Sequence, residues 1–311
     1  MTAGDVFLRS PRLEVGVLAH GARLTSVRSP DRTGRVGDLL LGLADAAAYQ
    51  ADRAYLGACV GRFANRIAGG TFSLDGVAYK VPTNEPGAAL HGGDGGFDAV
   101  PWEITESSDS SVTLNRTSPD GENGFPGTLQ VAVTYAVDGP QLLIEHEATT
   151  DAPTVVNLTN HGYWNLAGGG SIEGHRMQIR ASRYLPVDEH LIPTGELAPV
   201  QDTPFDFRAP TTIGARLREP HPQLHAARVH DPGSGRYIEV FTDQPGVQFY
   251  SGNFLDGTIV LRDGRPARQS DAFCLETQAF PDSPNQPGFP STVLRPGQQY
   301  RSRTLLRFGV R

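Results

Sequence analysis

Three polar segments of the chain carry side chains suited to proton transfer and hydroxyl recognition. The first is Gly61-Arg62-Phe63-Ala64-Asn65-Arg66-Ile67, with Leu90-His91-Gly92-Gly93 downstream. The second is Asn160-His161-Gly162-Tyr163-Trp164-Asn165-Leu166. The third runs from Leu275-Glu276-Thr277-Gln278 through Ala279-Phe280-Pro281-Asp282 to Pro290. Taken singly, each has a bland reading. His161 could satisfy a turn, and Asn65 and Arg66 could be solvated. Trp164 and Phe280 read as core residues. Glu276 follows the apolar run Phe273-Cys274-Leu275, so it is either paired with an arginine or functional. Taken together, the set changes meaning. Amides and guanidinium groups hydrogen-bond ring hydroxyls, and aromatic faces cover the apolar side of a pyranose. A histidine and a glutamate supply an acid and a base for one small substrate. Two histidines and a carboxylate, His91, His161 and Glu276, are also a known metal-ligand set.

The elements that must position these groups read as β-structure. The chain has 311 residues, and Gly 36 with Pro 24 make up nearly a fifth of it. That content argues against a helical bundle or coiled coil, since both residues break helices. Strand patterns lie at Leu13–Leu18, Thr128–Tyr135, Gln141–Glu147 and Arg303–Val310. Asp138-Gly139 and Asp75-Gly76 mark hairpins. Tyr237–Phe241 and Val247–Tyr250, flanking Gln244-Pro245-Gly246, read as a third hairpin. Short helices are expected over Leu43–Tyr49 and Thr212–Leu217. Gly92–Gly96 and Gly168–Gly170 read as loops. Many short strands with Gly/Pro/Asp turns indicate an all-β sandwich or barrel. No composition shift marks a boundary, so one domain over 1–311 is expected.

Other function classes are disfavoured. The net charge is −7, and no basic stripe suggests nucleic acid or an anionic membrane surface as a partner. Phosphate-loop and dinucleotide motifs are absent. The 2 cysteines, Cys59 and Cys274, are far apart and read as small buried hydrophobes. With no signal-like N-terminus and no long apolar run, a soluble cytoplasmic protein is expected, as a monomer or homodimer.

The ordered motifs resemble the aldose 1-epimerase (galactose mutarotase) family. The resemblance rests on the 61–67 segment, Leu90–Gly93 with Gly96-Phe97 and Trp102, Asn160–Leu166, Gln244–Gly257, Leu275–Pro290 and Leu294–Tyr300. It implies a large β-supersandwich with a sugar in a cleft, and interconversion of α and β anomers without metal or organic cofactor. By motif, Glu276 corresponds to the general base at the C1 hydroxyl and His161 to the general acid at the ring oxygen. Arg66 and His91 correspond to groups that hold hydroxyls and the ring oxygen, and Asn65 and Gln248 to further polar contacts. A sugar-binding aspartate that the family places after the stretch matching Phe205-Asp206-Phe207-Arg208 has no counterpart, since no Asp lies between Asp206 and Asp231. Glu219, His221, His225 and His230 are the candidates to replace it. Gly162-Tyr163-Trp164 stands where the family more often has Ser-Tyr-Phe. The competing expectation is a non-catalytic sugar-binding or sensing protein on the same fold; a sugar-phosphate epimerase would need an arginine cluster at the cleft mouth.

Overall fold

The computed structural model describes residues 5–217 and 227–311. Its most regular part is the hairpin of Leu129–Asp138 and Gln141–Thr150, paired in unbroken register from Leu129↔Thr150 to Asp138↔Gln141. The turn is Gly139-Pro140, one residue later than the sequence suggested. Gly139 has φ 50°, the conformation that a two-residue hairpin loop with glycine first requires. Leu129, Val131, Val133, Tyr135 and Val137 are buried, alternating with more exposed neighbours, so period two puts one face against the core. Each such Val or Leu contributes roughly 1.5–3 kcal/mol on burial.

This hairpin lies within a nine-stranded antiparallel sheet. The strands on one side are Glu103–Ser107 and Ser111–Ser118; those on the other are Tyr300–Val310, Arg236–Thr242, Ala227–His230, Arg176–Ile179 and Thr211–Thr212. A four-stranded sheet covers residues from Asp5 to Asp38, and a three-stranded one joins Tyr163–Trp164, Phe273–Gln278 and Gly246–Tyr250. One apolar cluster takes side chains from all three, including Val15, Leu114 and Leu275. The result is the all-β sandwich that the turn-rich sequence indicated.

The third expected hairpin is not formed. Arg236–Thr242 pairs with Tyr300–Val310, whereas Gly246–Tyr250 pairs with Phe273–Gln278 in another sheet. The Gln244-Pro245-Gly246 turn hands the chain between layers instead of folding it back on itself. The first helix spans Ala46–Ala51, because the Asp45 carboxylate caps it by accepting from Ala48 N at 2.9 Å. Leu43 lies outside it, its N–H donating to the Tyr49 hydroxyl at 3.1 Å. The second helix is Ile213–Leu217. Cys59 and Cys274 are buried and free. Among the described residues no helix is long and apolar enough to cross a membrane.

Candidate active site

Glu276 is fixed by sheet register. It sits directly opposite Gln248, so both side chains emerge from the same face of the three-stranded sheet. Cys274 and Tyr250, paired two residues away, share that face, whereas Leu275 points the other way into the main core. The sequence left Glu276 as either arginine-paired or functional. Among the described residues no arginine bonds to it; it pairs instead with His161, whose Nε2 is 3.6 Å from Oε1, and its Oε2 is buried with no hydrogen bond from those residues. That spacing is too long for a direct hydrogen bond.

His161 is held by its own backbone. Its N–H donates to Ala58 O and its carbonyl accepts from Gly57 N, both at 2.9 Å. Gly57 has φ 67°, and a Cβ there would lie 1.9 Å from Leu24 O, so only glycine permits the contact. The preceding Asn160 amide donates to Gly57 O and to the Tyr135 hydroxyl, tying this loop to the long hairpin. The imidazole lies between Tyr163, stacked at 5.0 Å, and Tyr55 at 5.9 Å. Gly162 goes with Trp164: a Cβ at 162 would approach the indole at 3.0 Å, so the bulkier ring fills the space a serine would use.

Asn65, Arg66 and His91 come from one short strand pair. Arg66 is opposite Leu90, and just beyond them Asn65 and His91 both take positive φ, 65° and 55°. Asn65 N donates to His91 Nδ1 at 3.1 Å, and His91 N donates to Asn65 O at 3.0 Å. Because Nδ1 accepts, the ring proton of His91 is on Nε2. Gly92 follows because a Cβ there would meet Gly61 O at 2.2 Å. The Asn65 amide donates to Gln248 Oε1 at 3.1 Å, linking this pair to the strand opposite Glu276. Arg66 is buried, and its Nε and Nη2 grip both oxygens of Glu85. Asn157 and Asp282 bind the segments together. Asn157 donates to Ala64 O and accepts from Ala279 N, while Asp282 accepts from Ala68 N and its own N–H donates to Arg66 O.

All six residues singled out for the site, Asn65, Arg66, His91, His161, Gln248 and Glu276, line one cavity of about 970 Å³. Its exposed lining mixes Phe254, 76% exposed and stacked with Tyr250, with polar side chains such as Arg53, Asp256 and Gln269. Trp164 and Phe280 are core residues, packed on Phe308 and Phe289. Sequence reasoning missed Tyr55 and Glu85, which lie in ordinary-looking loops whose only cue was a polar turn. Arg216 is the cavity-lining residue nearest the stretch where the resemblance calls for an aspartate; its Nη2 donates to Asp206 O at 3.1 Å. Of the possible replacements, Glu219, His221 and His225 lie outside the described residues, and His230 does not line the cavity.

Burial dominates the electrostatics. It pushes the Glu276 carboxyl up to about 8, opposed by the Arg66 charge. It pulls His161 down to about 4, and His91, also facing His161 and Arg66, well below the usual imidazole range. Near neutral pH the His161–Glu276 pair therefore holds one proton. The ligating atoms of His91, His161 and Glu276 lie within 4.8 Å of one another, so the same trio has the spacing to chelate a cation.

The sequence matches the family described as "Aldose 1-epimerase" over residues 5–307. It is 47% identical to the galactose mutarotase of Sus scrofa, over 97% of this chain and 93% of that one. It is 38% identical to the aldose 1-epimerase of Escherichia coli strain K12, over 94% and 91%. The fold superposes on the crystal structure of a GalM/aldose epimerase homologue from C. elegans with a TM-score of 0.94, at 31% identity and 99% coverage of both chains.

Proposed function

The chain belongs to the aldose 1-epimerase family, and from that premise we propose that it interconverts the α and β anomers of free hexoses such as galactose or glucose, with Glu276 as base and His161 as acid. The observation that carries the reading is that these two groups are buried 3.6 Å apart in one cavity with Asn65, Arg66, His91 and Gln248.

The reaction needs a proton removed at O1 and one delivered at the ring oxygen. Glu276 takes the O1 proton as the C1–O1 bond gains double-bond character and the bond from C1 to the ring oxygen breaks. His161 Nε2 protonates the departing ring oxygen. Rotation about C1–C2 in the free aldehyde presents the other carbonyl face. Reclosure returns one proton from Glu276 to O1 and the other from the hydroxyl to His161. The pair holds one proton throughout. Ring opening starts from the form with that proton on His161 and ends with it on Glu276. Burial favours the proton on Glu276, with both groups neutral, so in the free enzyme the form that opens the ring is the minor one of the pair's two one-proton states. The Nε2–H of His91 and Nη1 of Arg66, which makes no hydrogen bond among the described residues, are donors for sugar oxygens.

Nothing in the cavity favours the non-catalytic alternative. Action in the cytoplasm, as a monomer or homodimer and with the chain working as one domain, belongs to the same proposal. Polarimetry of freshly dissolved α-D-galactose and α-D-glucose tests it. Wild type is expected to outpace buffer and Glu276→Gln to lose the effect. If both match buffer while calorimetry still shows sugar binding, the catalytic reading is wrong.

A further inference from the structure

We propose that Glu85 is a positioning residue, whose carboxylate fork aims one nitrogen of Arg66 at the sugar and balances the cation beside Glu276. The inference rests on the reading above. Glu85 Oε2 accepts from Arg66 Nη2 at 3.1 Å while Oε1 takes Nε, and among the described residues Nη1 makes no hydrogen bond. Two of the three guanidinium nitrogens are thereby committed on one edge, and the third is left for a ligand in the cavity that Arg66 lines.

The carboxylate is locked in register with the arginine it serves. Asn84 donates to Leu90 O at 3.1 Å and accepts from Leu90 N at 2.7 Å, and Leu90 is the strand partner of Arg66. Glu85 and Ala88 exchange backbone hydrogen bonds across the turn that follows. The main chain of Arg66 is pinned separately, through Asn65 Oδ1 and Asp282 N. Backbone and side chain thus have independent anchors, which a flexible side chain needs if it is to present a fixed donor.

The charge matters as much as the grip. Arg66 is the cation that favours the ionised form of Glu276, and the Glu85 carboxylate paired with it is placed to offset that charge. His91, His161, Tyr163, Tyr250 and Cys274 also face Glu276. Burial holds both imidazoles below their usual range, neutral at pH 7 in the free enzyme, and pushes the two phenols and the thiol up. The half-buried phenol of Tyr55 and exposed His190, packed over Gly87, flank the Glu85 turn. Within the site, the alkaline limb of activity therefore belongs to Glu276.

The test is mutarotation of galactose by wild type, Glu85→Gln and Glu85→Asp, followed by polarimetry from neutral to alkaline pH, with thermal melts of each. Glu85→Gln keeps an acceptor for Nε but removes the charge. It is expected to raise KM at least about 5-fold, and to move the alkaline limb toward acid by about half a pH unit or more. Glu85→Asp should return the limb toward the wild-type position. A Glu85→Gln enzyme with the wild-type limb overturns the inference, whether or not its melting temperature and kcat have fallen. Wild-type activity keeps the two readings apart. Without it the assignment of the reaction falls and takes this inference with it; with it, an unmoved limb removes the inference alone.

Discussion

The long hairpin from Leu129 to Thr150 and the cleft wall around His161 are held by different means. The hairpin is a ladder of backbone hydrogen bonds with alternating side chains. The cleft wall is made of two- and three-residue strands such as Cys59–Val60, Thr159–Asn160 and Arg66–Ala68. It is stitched by side chains bonded to distant backbone, with Asn157, Asn160 and Asp282 as the main stitches. A ladder repeats one geometry: it sets Glu276 beside Gln248 on one face, but it cannot turn His91, His161, Asn65 and Arg66 toward them from other segments. Stitched loops can, at the cost of relying on individual polar residues.

The largest effect that separates the regions is on the reaction. Glu276→Gln should lower the enzymatic rate by roughly 10²–10⁴ in polarimetry. The same change should stabilise the fold in alkali. A carboxyl with a raised folded pKa contributes stability below its unfolded value, about 4.3, and loses it as pH rises through about 8. The melting temperature of Glu276→Gln should therefore exceed that of wild type by a margin that grows from acid to alkaline pH.

A matched pair sharpens the contrast. Leu114→Ala, in the sheet core, should cost about 2–5 kcal/mol in denaturant unfolding and leave the rate per folded molecule unchanged. Asn157→Ala should cost about 2–4 kcal/mol by orphaning buried backbone groups. It should also slow the reaction by roughly 10²-fold, because it frees the Asn65–Arg66 segment from the strand end beyond Glu276. Equal losses of activity in the two variants would erase the distinction between frame and site.

What was legible in the sequence follows the same division. The hairpin strands could be read because period two is a local signal. The false hairpin at Gln244-Pro245-Gly246 failed because a turn signal reports reversal, and says nothing of which partner a strand chooses. Asn65, Arg66, His91, His161, Gln248 and Glu276 were found through motif resemblance, and all six reach one cavity. Residue types alone could not have shown that. Convergence depends on Gly57, Gly92 and the positive φ of Asn65 and His91, which no periodicity encodes. Glu85 escaped notice because its role exists only through its contact with Arg66.

Acid should affect frame and cleft together. His146 in the long hairpin, His175 and His161 are all pulled down to about 4 by burial. A histidine neutral in the fold contributes stability above its unfolded pKa, about 6.5, and loses it as pH falls toward 4. Unfolding midpoints should drop across that interval. Activity should fall outside roughly pH 4 to 8, where the catalytic pair no longer holds a single proton. The smallest expected effect is that of a chelator: dialysis against EDTA should leave the mutarotation rate unchanged, and a loss restored by a divalent ion would instead assign His91, His161 and Glu276 to metal binding.

Glu276 and His161 are only 2% and 5% exposed. Under the proposed cycle, the hydrogen leaving O1 and the one reaching the ring oxygen are exchanged with these two groups and not with bulk water. Spontaneous anomerisation borrows its acids and bases from the medium, so it speeds up as buffer is added. An enclosed relay carries its own supply. Turnover should then be indifferent to buffer concentration, and each departing sugar leaves the enzyme with the inventory of hydrogens it began with, ready for a molecule of either anomer.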